Sequence, residues 1–210
     1  MSVETNFNDK QIQILQVAES LFAEKGFDGT SIRNIAKEAK INIAMVSYYF
    51  GSKERLLESL ILYRATDIKL QLDNLILENL DPMEKINKLI ELYIDRVLCY
   101  KGIYKILHFE FSSKKRNVNL EAFIELKKGN LKSLETIIVE GQAKGIFRKD
   151  IIIPLITPTI LGTFFHFQTN RPFFETLLNL HTDELYNNYI KTDLTKHIQQ
   201  TIKALLIYES

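Results

Sequence analysis

The sequence predicts an all-α protein in which a small N-terminal three-helix head precedes a larger helical body. Three observations predict this class. Apolar residues recur every three or four positions through most of the 210 residues, the spacing of one helix face rather than the alternation of a strand. Residues that cap helices precede these runs, and glycines follow them. No strand-like alternation and no internal repeat breaks the pattern. A hydrophobic content of 46% supplies a substantial core.

The first helix starts near Asn8 or Asp9, both cap types, and places Ile14, Leu15, Ala18, Leu21 and Phe22 on one stripe. Gly26 ends it, with Phe27 expected to fold back in a Schellman stop. From Ser31 to Phe50 the spacing predicts two short helices across a tight turn. Ile32, Ile35, Ala36 and Ala39 face inward from one, Val46 and Phe50 from the other, with Asn42 as the second N-cap and Gly51 as its stop. A domain of roughly 45 residues buries little alone, so it should lean on the next helix. That helix starts at the cap Ser52, carries Glu54 in its first turn, and runs as one rod to about residue 79 through Leu56, Leu57, Leu60, Ile61, Ile68, Leu72, Leu75 and Ile76.

Asp81-Pro82-Met83-Glu84 is a helix start with Pro at N1 and an acid closing a capping box. Ile86, Leu89, Ile90, Tyr93, Ile94, Val97 and Leu98 continue that helix to an expected stop at Gly102. A shorter apolar piece spans Ile103 to Phe111, and SSKKRNVN follows as a polar loop. A long helix then runs from about Leu120 to Lys144, stopped by Gly145. The segment IIIPLITPTILGTFFHFQ is too apolar for a surface helix and is expected to kink at Pro158. After a polar stretch at 182–192, Leu194, Ile198, Thr201, Ile202 and Leu205 define the last amphipathic helix.

The net charge of +1 gives no global attraction to nucleic acid. Charge is instead local. Between Ser31 and Lys53 the cations Arg33, Lys37, Lys40 and Lys53 face a single acid, Glu38. With Asn42, Ser47, Tyr48 and Tyr49 on the second short helix, this surface suits a major groove with phosphates gripped on either side. The single cysteine, Cys99, excludes an intramolecular disulfide framework and is read as a core residue. The N-terminus MSVETNFNDK has no signal-peptide pattern, and no stretch approaches the ~18 apolar residues of a membrane span. A soluble, cytoplasmic protein is expected. His108, His166, His181 and His197 are dispersed, and hydrolase, nucleotide-binding and zincin signatures are lacking, so no catalytic residue, metal or cofactor is expected.

The stretch ILQVAESLFAEKGFDGTSIRNIAKEAKINIAMVSYYFGSKERLLESLI joins an F-x-E-K-G-F corner, a T-S-I-R-x-I-A start and a Y-Y-F-x-S-K-E-x-L junction. In this it resembles the TetR family of bacterial transcriptional regulators, from about Asn8 to Asp67; EGQAKGIFR is similar to a second, weaker corner of such chains. The resemblance implies a helix-turn-helix head at 8–68, with the motif itself at 31–50, and a ligand-binding and dimerisation body at 69–210. Position by position, it places Arg33 on phosphate or a base edge, Asn42, Ile43, Ala44 and Ser47 on bases, and Tyr48, Tyr49 and Lys53 on phosphates. It further implies a homodimer built from the last two long helices, a palindromic double-stranded operator and a small-molecule effector that releases a repressor. Three departures stand out. Lys40 replaces the turn glycine, Ser47 replaces a tyrosine, and Ile43 and Met45 are apolar where polar or small residues are common.

In the body, Tyr93, Tyr100, Tyr104, His108, Phe164 and Phe167 either line an apolar cavity for that effector or are packed core. Two alternatives stay open at this level: a DNA-binding regulator without a small-molecule ligand, and an all-α adaptor whose head binds protein.

Overall fold

The computed structural model describes residues 7–113 and 119–207, and their side chains except at 108–113. The described residues form eleven α-helices and no strand: α1 (Asp9–Lys25), α2 (Ile32–Glu38), α3 (Ile43–Phe50), α4 (Lys53–Leu77), α5 (Pro82–Cys99), α6 (Lys101–Ser113), α7 (Glu121–Ala143), α8 (Ile156–Thr169), α9 (Arg171–Leu177), α10 (Asp183–Tyr189) and α11 (Thr195–Leu206). Among them no helix is long and apolar enough to cross a membrane. Most of the expected polar loop 112–119 lies outside the described residues. Packing divides the chain at Gln71/Leu72, Cys99/Tyr100 and Asn130/Leu131 into two compact units. Tyr100–Asn130, which a division at residue 68 leaves in the body, thus packs with the head.

In the first unit the α1 stripe is buried as its spacing requires, and Ile35, Ala36, Val46, Phe50, Leu56, Leu57, Leu60 and Ile61 close over it. Asn8 and Gln11 form a reciprocal capping box. Gly26 does not make the expected Schellman turn. It takes φ 73° and ψ 166°, a region open essentially to glycine, and Phe27 stacks on Phe22 at 5.3 Å. Gly102 is not the stop either. The break falls at Tyr100, and Gly102 lies inside α6, where a Cβ would meet Ala23 Cβ at 3.3 Å and Glu19 Cγ at 3.4 Å. The glycine lets α6 approach α1, and Lys105 Nζ donates to the Ala23 carbonyl at 2.8 Å. From α4, Arg64 donates from Nε and Nη2 to Glu19 Oε2 of α1 at 2.8 and 2.6 Å, with its guanidinium 4.0 Å from the Tyr100 ring.

The second unit packs α5 against α8 and α11, burying Ile86, Leu89, Ile90, Ile94 and Val97. Glu84 Oε2 accepts from the Asp81 amide at 3.0 Å, the glutamate's half of the expected capping box. Buried Lys85 donates to the Ile76 carbonyl and to Glu140 Oε2, both at 3.0 Å. With Lys144 and Lys85 bonded to it, the Glu140 carboxyl is held below the usual carboxylate range. The α7 terminus is a full Schellman motif: Gly145 at φ 72° donates to the Gln142 carbonyl, and Ile146 to that of Gly141.

Pro158 does not kink α8. The helix begins at Ile156, so the proline sits in its first turn, where its missing N–H has no intrahelical partner to lose. The polar stretch at 182–192 is α10 plus a π-helical turn over Ile190–Leu194, whose Ile190 carbonyl accepts from Thr195 Oγ1 at 2.7 Å. Ile198, Ile202 and Leu206 are buried on α11, whereas Leu205 is exposed, because i+4 steps from Ile198 reach Leu206. Cys99, expected in the core, is exposed at the end of α5.

Candidate nucleic-acid interface

The candidate interface is built around the turn between α2 and α3. Ser31 caps α2 by accepting from the Asn34 amide at 3.1 Å, and the α2 terminus closes as a Schellman motif. Lys40 donates to the Lys37 carbonyl at 3.1 Å and Ile41 to that of Ala36 at 3.0 Å. Lys40 therefore holds the left-handed position at φ 53° without a glycine. From α1, Gln13 Nε2 donates to the Ala39 carbonyl at 3.0 Å and fixes the turn from below. Asn42 then caps α3, its Oδ1 accepting from the Ala44 amide at 2.9 Å.

These contacts set which side of α3 points outward. Val46 and Phe50 are buried, so Asn42, Ile43, Ala44, Ser47 and Tyr48 form the exposed face. Tyr48 is 84% exposed. Tyr49 is half-buried, its ring 5.3 Å from that of Tyr48 and 6.3 Å from that of Phe50. Arg33 is exposed on α2, and so is Lys37 one turn later, a cation that its i+4 spacing from Arg33 makes part of the same flank. The structure thus brings seven of the eight candidate positions to the α2–α3 surface.

Lys53 differs. Its Nζ donates to the carbonyls of Phe27 at 3.0 Å and Thr30 at 2.9 Å and lies 4.2 Å from the centre of the Phe27 ring. Nothing in the sequence signals this, because the acceptors are main-chain atoms of the α1–α2 corner.

The aromatic candidates fall into both units. Tyr100 and Tyr104 are half-buried against the core of the first unit. In the second, Tyr93, Phe164 and Phe167 are buried. Burial pushes the Tyr93 phenol up, offset by a hydrogen bond with Thr157. Phe167 stacks on Phe174 at 4.5 Å, Tyr186 at 5.3 Å and Tyr189 at 5.6 Å. The Gln168 Nε2 is buried without a hydrogen-bond partner among the described residues. The side chain of His108 lies outside the described ones.

The helix-turn-helix and the helical body are both similar to those of known regulators. Residues 14–60 match the family model of bacterial regulatory proteins of the tetR family, and residues 82–202 that of the tetracyclin repressor-like C-terminal domain. The HTH-type transcriptional repressor NicS of Pseudomonas putida is 31% identical over 189 residues, covering 86% of this chain and 84% of that protein. Among solved structures, the fatty acid degradation regulator FadR of Bacillus halodurans has a similar fold, with a TM-score of 0.72 at 23% identity, covering 94% of this chain and 96% of that one. FadR of Bacillus subtilis in complex with stearoyl-CoA gives 0.67 at 22% identity, covering 92% and 97%. The chain belongs to the TetR family of bacterial regulatory proteins and is a DNA-binding transcriptional regulator.

Proposed function

We propose that the protein is a homodimeric repressor that reads a two-fold-symmetric operator with α3 and is released by a small, largely apolar effector. The observation that carries the reading is the α3 face itself. Asn42 and Ser47 are polar, Ala44 is small and Ile43 is apolar, and all four are exposed, with Arg33 and Lys37 on α2 and Tyr48 and Tyr49 further along α3. Ile43 and Ala44 suit apolar contact with thymine methyls, while Asn42 keeps its amide N–H groups for a base because its oxygen is engaged as the cap. Arg33, Tyr48 and Tyr49 then hold phosphates. With DNA as its target, the protein acts in the cytoplasm.

Dimerisation is supported by the segment from Ile151 to Asn170, which contains no Lys, Arg, Asp or Glu, although Ile152, Leu155 and Gly162 on it are exposed. A second copy covering α8 together with α11 would give an isologous contact. The operator then carries half-sites about one helical turn or more apart. The effector binds among the aromatic positions of the body, with Tyr93, Phe164 and Phe167 as its candidate lining and the unpartnered Gln168 amide offered to an acceptor on the ligand. A hundredfold loss of operator affinity requires that it favour the DNA-incompetent state by about 2.7 kcal/mol. Stearoyl-CoA, bound by the Bacillus subtilis relative, is the first compound to try.

The test is Ala44→Glu. A carboxylate on the exposed face meets the groove's negative potential but leaves the helix intact, so a duplex selected by the wild type from a random pool should no longer be bound specifically. A folded Ala44→Glu protein that retains this binding would show that another surface reads DNA.

A further inference from the structure

Lys53 is the first residue of α4, where a cation meets the positive end of the helix dipole. The position is unfavourable unless an acceptor engages the ammonium, and two do, the carbonyls of Phe27 and Thr30. These carbonyls belong to a corner that is also held from within. Thr30, almost fully buried, has its Oγ1 within 3.1 Å of the Leu21 carbonyl and 2.9 Å of the Gly26 carbonyl. Phe27 is stacked on Phe22 beneath the ammonium.

The corner leads directly into Ser31, the cap of α2. Lys53 itself is separated from the end of α3 only by Gly51 and Ser52. One side chain therefore bridges the entrance of the two-helix motif to its exit. We propose that Lys53 is a positioning residue, a cationic clamp on two carbonyls that fixes how α2 and α3 are presented to the duplex. Two of its three N–H donors are used in the clamp. This rests on the reading of α3 as the base-reading helix.

A phosphate contact and a clamp leave different signatures. Neutralising a phosphate contributes equally to every duplex and adds about one unit to the salt slope. A clamp contributes nothing to that slope, and it matters only where α2 and α3 must both fit a particular sequence. The experiment compares wild type, Lys53→Met and Lys53→Gln on a wild-type-selected duplex and on a random-sequence duplex, across a salt series. Methionine keeps the stem and loses the donors. Glutamine loses the charge but keeps N–H groups that can reach a carbonyl.

For Lys53→Met we expect roughly a tenfold or greater loss on the selected duplex, less than about a twofold loss on the random one, and unchanged slopes. Lys53→Gln should recover part of the loss on the selected duplex, still with the wild-type slope. Equal weakening on both duplexes in both variants, with the slope reduced by about one, would overturn the proposal in favour of a phosphate contact. A folded Lys53→Met protein with wild-type affinity on both duplexes would overturn it in favour of a purely structural role. If Lys53→Met does not fold, the slope and duplex ratio of Lys53→Gln decide alone. Failure of the underlying reading is separate, since then Ala44→Glu would retain binding to the selected duplex.

Discussion

Replacing Arg64 by Met should destabilise the protein more than any single exposed substitution in the head. Its guanidinium makes two donations to one oxygen of Glu19, at 2.8 and 2.6 Å, and lies over the Tyr100 ring. Glu19 is only 7% exposed on α1, beside the buried Ala18 and Phe22. Without the arginine, a carboxylate is left in a largely apolar setting with its principal cation gone. Breaking a buried pair in this way costs about 3–5 kcal/mol. The side chains retain 15% and 10% exposure, which admits some solvent screening and favours the lower end, about 3 kcal/mol.

The assay is urea unfolding followed by circular dichroism at fixed protomer concentration, because dimerisation would otherwise enter the stability. With a slope of about 2–3 kcal/mol per molar, the midpoint should fall by roughly 1 M. Removing both charges with apolar residues, Glu19→Leu with Arg64→Met, should return stability to within about 1 kcal/mol of wild type, because the uncompensated charge is then gone. The coupling energy between the two sites would thus exceed about 2 kcal/mol. An Arg64→Met midpoint indistinguishable from wild type, or a double variant no better than the single, would refute the reasoning.

Two further outcomes follow from the backbone and from a buried phenol. Lys40→Gly should stabilise the protein by about 0.5–1 kcal/mol, because the left-handed strain of a lysine exceeds the extra chain entropy of glycine; a lower melting temperature would contradict this. Burial raises Tyr186 from 10.0 to about 12, so its phenol keeps the proton where the unfolded chain loses it. Its contribution is present in full below pH 10 and lost as pH rises from 10 to about 12, a fall of about 3 kcal/mol. Tyr186→Phe should flatten that alkaline fall while costing about 1 kcal/mol at neutral pH for the bond to the Phe167 carbonyl, and urea midpoints at both pH values would check it.

The exposed α3 face proposed to read DNA was legible because it depends only on local spacing. Once Val46 and Phe50 face inward, Asn42, Ile43, Ala44, Ser47 and Tyr48 must face outward, and the Ser31 and Asn42 caps fix where each helix starts. Lys53 was not legible in the same way. Its residue type and its family position both suggest phosphate, whereas its partners are carbonyls 26 and 23 residues earlier, brought near by the fold. Pro158 misled because its effect depends on where the helix begins, and that start at Ile156 carries no side-chain cap to mark it.

Glycine is the most ambiguous letter in this sequence, since the same residue marks a stop or a close approach. Gly102 reads as a stop after an apolar run, yet it sits in α6 because Ala23 and Glu19 of α1 pass within 3.3 and 3.4 Å of where a Cβ would be. Gly162 fits neither use inside one protomer. It lies mid-helix in α8, where glycine costs about 1 kcal/mol relative to alanine, and among the described residues no atom beyond its chain neighbours and its own helix backbone comes within 4 Å of its missing Cβ. It is also exposed, in a stretch without charged residues. A small residue that no described neighbour in its own chain requires is what a second copy packed closely against α8 would require, and this joins the proposed dimer contact to a position that the helical periodicity alone left unexplained.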